Sequence, residues 1–146
     1  MSSKKDILRI VDANFNRSRE GLRVCEDIAR FIMNSPSLTK ELKALRHGIS
    51  KAVNSSPGIA SALLGSRDSA GDCGRMPDPA VEIPRQDASD IFTANIERVK
   101  ESTRVLEEFF KLVDIGLSAK LSRLRFKAYA IEKKAVKRLS SLRHSR

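Results

Sequence analysis

The chain has little of what several large function classes require. Among 146 residues there are two cysteines, two histidines, one tyrosine and no tryptophan. Cys25 and Cys73 form no C-x-x-C pair, so structural zinc and a disulfide framework are poor readings, and Cys25 reads as a core residue. His47 and His144 are too few for a histidine-based metal centre or for a confident Ser/His/Asp or Cys/His triad. Aromatics make up only 5%, which disfavours a base-stacking platform for nucleic acid. No run approaches the roughly 20 consecutive apolar residues of a membrane span. The opening Met1-Ser2-Ser3-Lys4-Lys5-Asp6 lacks the apolar stretch and cleavage site of a secretory signal, so a cytoplasmic address and no membrane partner are expected. There is no G-x-x-x-x-G-K-[ST], no dinucleotide fingerprint and no H-E-x-x-H.

The excess is of positive charge, +10 overall. It is local: residues 120–146 carry +9 and the rest of the chain +1. Nucleic acid is therefore an unlikely partner of the fold, although a basic helical protein docking nucleic acid or an acidic partner through 120–146 is a rival reading. That rival predicts affinity that falls steeply with salt. The solvated end of a helix, its cations suited to the dipole, explains the run more simply.

Apolar residues recur with a helical period. Val11, Phe15, Ser18, Leu22, Cys25, Ala29 and Ile32 step by alternating fours and threes, as do Phe92, Ile96, Val99, Thr103, Leu106, Phe110 and Val113. Leu38, Leu42, Leu45, Ile49 and Ala52 match Leu117, Leu121, Leu124, Ala128 and Ile131 in the same way. Such stripes are the seams of helical bundles. Residues 12–32 and 93–113 also align with each other, sharing Ala13/Ala94, Asn14/Asn95, Arg17/Arg98, Glu20/Glu101, Arg23/Arg104, Val24/Val105 and Glu26/Glu107. That is the mark of an internal repeat.

Ser3 with Asp6, Ser35 before Pro36, and Asp87 with Asp90 suit helix starts. Gly116 reads as the break between the last two helices. The expectation is an all-α single domain over 1–146, a four-helix bundle of two duplicated helical hairpins, with helices near 5–33, 36–53, 88–113 and 117–140. Repeat 1 would span 5–53, repeat 2 88–140 and a basic tail 141–146. Between the repeats, 54–87 holds four of the seven glycines and four of the five prolines. It reads as a long central loop, with one or two helical turns at Ile59–Leu64. Wide apolar arcs on all four helices are compatible with a homodimer.

Polar residues interrupt those arcs: Asn14, Arg17 and Gly21 in the first half, Asn95, Arg98 and Ser102 in the second. One reading is a buried Asn with Arg17–Glu20 and Arg98–Glu101 pairs fixing register. The other is a polar pocket in which Arg17 and Arg98 face an anionic ligand. Arg23, Arg104, Glu26 and Glu107 fall nearer the solvent side and read as surface or inter-helix ion pairs. Arg46 and Arg125, beside the second seam, can reach the same pocket. In the segment Arg67 to Arg75, Gly71 and Gly74 let backbone N–H groups approach an anion, Asp68 and Asp72 can hold Mg²⁺, and Arg67 and Arg75 can bind phosphate. A solvated turn is the plain alternative.

Together, D-A-N-x-x-R-x-x-E-x-x-R-V at 12–24, L-R-H at 45–47, R-D-x-x-G-D-x-G at 67–74, A-N-x-x-R-x-x-E-x-x-R-V-L-E-E at 94–108 and L-R-F at 124–126 resemble the ThiD2 family over residues 6–135. Its domain is commonly fused ahead of thiamine-phosphate synthase. The resemblance implies thiamine biosynthesis and a kinase that uses ATP and Mg²⁺ to convert hydroxymethylpyrimidine phosphate to the diphosphate. The chain departs from the fused arrangement, the synthase barrel being absent, so it is expected to act alone or with a separate thiamine-phosphate synthase; a pyrimidine-phosphate binding module without chemistry is the alternative. Cys73 stands where the family tends to have an aliphatic residue, and Ser102-Thr103 where Ala-Leu is usual. On the kinase reading Arg17, Arg98 and Arg67 would hold phosphates and Asp68 and Asp72 would place Mg²⁺. Glu20 and Glu101 would orient arginines, and Asn14 and Asn95 would read the pyrimidine edge.

Overall fold

The computed structural model of the chain describes residues 3–56, 58–74 and 84–144. It contains five helices: α1 (Lys4–Phe31), α2 (Pro36–Asn54), α3 (Ile59–Ser66), α4 (Ala88–Phe110) and α5 (Ile115–His144). There is no strand among the described residues.

The starts follow capping chemistry. The Ser3 hydroxyl accepts from the Asp6 N–H at 3.1 Å and the Asp6 carboxylate accepts from the Ser3 N–H at 3.3 Å, a reciprocal capping box. Hydrogen bonding to Ser3 also holds the Asp6 carboxyl below the ordinary range. Ser35 caps α2 with Pro36 following, and Asp87 caps α4 by accepting from the Asp90 N–H at 2.9 Å. Between α1 and α2 the chain turns through Asn34 at φ 50°, a left-handed position that Asn tolerates better than most residues. Gly58, at φ 75°, opens α3.

One expected boundary moves. Gly116 does not break the helices; it lies in the first turn of α5. The break falls at 111–114, and Asp114 supplies the cap, accepting from the N–H groups of Gly116 at 3.1 Å and Leu117 at 3.4 Å. A short acidic side chain ahead of a helix satisfies amides that would otherwise lack partners.

Helix α1 packs against α2, α3 and α4, α4 packs against α5, and α2 packs against both α5 and α3. The apolar stripes form one core: Val11, Leu22, Leu42, Ile49, Phe92, Ile96, Leu106 and Leu121 are all fully buried. Helices α1 and α4 run antiparallel, since Ser18 meets Ser102 while Cys25 donates to the Phe92 carbonyl at 3.7 Å. They come closest at Gly21, where a Cβ would stand 3.0 Å from both the Asn95 carbonyl oxygen and Val99 Cγ2. The Ser18 and Ser102 hydroxyls share a 2.7 Å hydrogen bond one turn away. A glycine and two serines thus let two helix backbones approach without leaving a buried polar atom unpaired. No helix of the described residues is long and apolar enough to cross a membrane.

Candidate functional site

Asp12, on the first half of α1, is buried although charged. Its partner comes from the residue that ends α3. Arg67 donates Nε to Asp12 Oδ2 at 2.9 Å and Nη2 to Oδ1 at 2.8 Å, a two-pronged pair that spans 55 positions of sequence. Asn16 adds a donor to the Asp12 carbonyl at 3.1 Å. The carboxylate holds the Arg67 guanidinium still more firmly protonated than usual, through hydrogen bonding first and charge second. Fork-to-fork geometry of this kind fixes orientation as well as distance.

The loop beyond Arg67 sits over this pair. Arg9 Nη2 donates to the Asp68 carbonyl at 3.4 Å. The Gly71 N–H donates to Asp68 Oδ1 at 2.9 Å, and the Gly74 N–H to Asp72 Oδ1 at 2.8 Å. Both glycine amides, read as free to meet an anion, are thus engaged by the chain's own carboxylates here. Around them lies a cleft of about 200 Å³ lined by Arg9, Asp12, Ala13, Arg67, Asp68 and Asp72. No group of three or more His, Cys, Asp or Glu side chains is arranged for a metal ion among the described residues. Asp68 and Asp72 each keep a second oxygen off the glycine amides, which fits a cation that binds through one or two carboxylates and takes its other ligands from water and phosphate. Arg75 lies outside the described residues.

Arg9, Ala13, Arg17 and Glu20 step along one face of α1, so Arg17 stands a turn beyond the cleft. Both Arg17 and Arg98 are exposed, not embedded in the apolar arc. The expected i,i+3 pairs do not form. Arg17 instead donates to Asn14 Oδ1 at 3.4 Å, and Arg98 reaches across to Glu20 at 3.9 Å. Glu101 is exposed. Asn14 is buried and Asn95 half-buried; each donates to the carbonyl four residues back, Ile10 and Ile91, at 2.8 Å. Those bonds leave the Asn95 amide oxygen open, whereas the Asn14 oxygen already accepts from Arg17.

Of the two readings of Glu26 and Glu107, surface or inter-helix ion pairs, the inter-helix one holds, and their placement near the solvent side is corrected. Glu26 and Glu107 are buried. Arg46 donates Nε to Glu26 at 2.9 Å, joining α2 to α1, and Arg125 donates Nε to Glu107 at 2.9 Å, joining α5 to α4. Arg46 and Arg125 therefore serve these pairs. Arg46 also borders a cleft of about 470 Å³ with Asn16, Arg19, Glu20 and Arg23, on the solvent side of α1.

Sequence reasoning missed Asp12 and Arg9 as members of the cleft. The D at the head of the first repeat motif was the signal, since the second repeat has Thr93 there.

These features define the class: an all-helical protein whose Asp-, Arg- and Gly-rich loop is moored by charge to its first helix, beside a stripe of arginines. The chain belongs to the ThiD2 family, whose model matches residues 9–134. It is 40% identical over 129 residues to a thiamine-phosphate synthase of Rhodopirellula baltica, covering 88% of this chain and 34% of that one. It is 39% identical over 131 residues to a thiamine-phosphate synthase of Synechocystis sp., covering 90% and 36%. The chain thus spans about a third of the length of these curated relatives. No solved structure matches it.

Proposed function

We propose that the protein acts in thiamine biosynthesis as a phosphotransferase, passing the terminal phosphoryl group of ATP to hydroxymethylpyrimidine phosphate. The P–O bond to the ADP leaving group breaks, and a new P–O–P bond forms on an oxygen of the substrate phosphate. Phosphoryl transfer asks mainly for positioning and charge neutralisation. The observation that carries the reading is the cleft in which Arg9, Arg67, Asp68 and Asp72 stand together beside the buried Asp12. Membership of the ThiD2 family and the names of the relatives supply the pathway.

On this reading Arg67 and Arg9 hold phosphate oxygens, and Arg17 extends the cationic surface one turn along α1. Asp68 and Asp72 hold Mg²⁺, which neutralises charge on the transferring group. Glu20 keeps Arg98 facing α1. Asn14 and Asn95 present amide oxygens to the pyrimidine. No side-chain base is needed, because the attacking phosphate oxygen is already ionised. The architecture we propose is a four-helix bundle of two duplicated hairpins, with the paired Arg46–Glu26 and Arg125–Glu107 bridges as its repeated element.

A second reading is favoured by one observation: the match covers only about a third of chains named thiamine-phosphate synthase. The unit would then bind pyrimidine phosphate and hand it to a thiamine-phosphate synthase without chemistry. Incubation with Mg-ATP and hydroxymethylpyrimidine phosphate, followed by ³¹P NMR, separates the two. Diphosphate signals establish the kinase. Their absence, with the substrate still raising the melting temperature, establishes the binding module.

A further inference from the structure

Helices α2 and α5 pack less closely than α1 and α4, and a groove runs between them that shares no lining residue with the cleft. Its floor is apolar. Ala44, Leu45, Gly48, Leu124, Ala130 and Ile131 line a hollow of about 370 Å³. Gly48 keeps it open next to Leu124, since a Cβ there would lie 3.0 Å from Leu124 Cδ2. The hollow continues, through Gly48 and Leu124, into a second of about 340 Å³ towards the end of α2.

The charge along the groove is one-sided. The second hollow is ringed by Lys51, Lys120, Arg123 and Lys127, with no acidic residue in its lining. All four side chains are exposed and none makes an ion pair or hydrogen bond among the described residues. At the opposite end, Glu41 is already neutralised by Lys134 at 2.7 Å. Several cations elsewhere are matched: Lys100 with Glu97 and Glu132, Arg104 with Glu107 and Glu108, Arg125 with Glu107. Four uncompensated cations at one mouth of an apolar trough raise the local concentration of anions. The volumes lie in the range of small-molecule sites.

We propose that the α2–α5 groove binds a small phosphorylated ligand with a flat apolar body, in the manner of a nucleoside diphosphate. The phosphates meet Lys51, Lys120, Arg123 and Lys127, and the body lies over Ala44, Leu45 and Ala130. The polarity gradient distinguishes this occupant from an acidic helix, whose charge would need partners along the whole groove. The inference does not rest on the kinase reading, which concerns the α1–α3 cleft.

The test is calorimetric titration of the full chain at about 150 mM salt, where weak exposed attractions are largely screened. The probes are ADP and inorganic tripolyphosphate, without Mg²⁺. Wild type should bind ADP. Lys120→Glu with Arg123→Glu should weaken ADP by more than about tenfold, the equivalent of roughly 1.4 kcal/mol. Ala130→Trp, at an exposed helix position, should weaken ADP to a similar degree and leave tripolyphosphate unchanged. Ala44→Trp serves as the independent copy of that variant, and circular dichroism checks that each is folded. ADP that fails to bind, or that binds equally well to Ala130→Trp and Ala44→Trp, overturns the proposal. Loss of ADP binding in Arg67→Ala with retention in the charge-reversed groove would assign that binding to the cleft and overturn it as well.

Discussion

Arg67 lays two donors across the Asp12 carboxylate, at 2.9 and 2.8 Å, and so joins the end of α3 to the buried side of α1. Lysine cannot reproduce that contact, because a single ammonium offers no planar fork. Arg67→Lys should therefore lower turnover by about tenfold or more while leaving helicity intact. Asp12→Asn should do the same and should speed hydrogen exchange at the Gly71 and Gly74 amides. Unchanged exchange at those amides in both variants would separate the loop from its mooring.

Arg17 and Arg98 are exposed, so their removal should leave the fold intact. Surface charge changes usually move stability by less than about 0.5 kcal/mol. Arg17→Ala and Arg98→Ala should nevertheless abolish diphosphate formation. Normal turnover in the pair would remove the arginine stripe from the proposed site.

The Arg46–Glu26 and Arg125–Glu107 bridges should matter for stability. Arg46→Met alone leaves Glu26 buried with only the longer contact to Arg23, at 3.8 Å, and breaking a buried pair costs about 3 kcal/mol. Arg46→Met with Glu26→Leu should recover most of that loss, since an apolar pair of similar volume needs no desolvation. Urea unfolding of the two singles and the double measures the coupling directly.

Gly21 is held against α4 by the Asn95 carbonyl and Val99. A backbone oxygen cannot move aside as a side chain can. Gly21→Leu should destabilise by about 1–3 kcal/mol through overpacking, despite better helix propensity. A melting temperature at or above wild type would mean that the α1–α4 spacing is softer than this contact implies.

Burial pushes the Cys25 thiol up to about 12, so the folded protein keeps it protonated where the unfolded chain ionises it. The sign follows: its contribution is intact below the unfolded pKa near 8.5, and falls by about 1.4 kcal/mol per pH unit above it. Cys25→Ala should reduce the alkaline slope of stability between those two values. At neutral pH a thiol reagent should modify exposed Cys73 rapidly and Cys25 only on unfolding.

The helices were legible because their signals are local. Ser3, Ser35 and Asp87 cap where serine and aspartate precede an apolar period. Asp114 was overshadowed by the more conspicuous Gly116. The charged contacts were not legible, because spacing on one helix does not tell what stands opposite. Glu26 looks exposed on an isolated α1 and becomes buried only when α2 brings Arg46 over it. Arg17 lost its expected neighbour because Glu20 turns instead to Arg98 on α4. Arg67 and Asp12 carry no mutual pattern across 55 positions. The loop residues were identified as a group from composition, yet their attachment to α1 is a property of the folded chain.

That attachment has a dynamic corollary. Ile59 and Leu63 fasten α3 by apolar burial, which phosphate cannot contest, whereas Arg67 is fastened by a carboxylate, which phosphate can replace. On the proposed reading an anion arriving at Arg67 would compete with Asp12 for the same donors, so docking and unlatching would become one exchange.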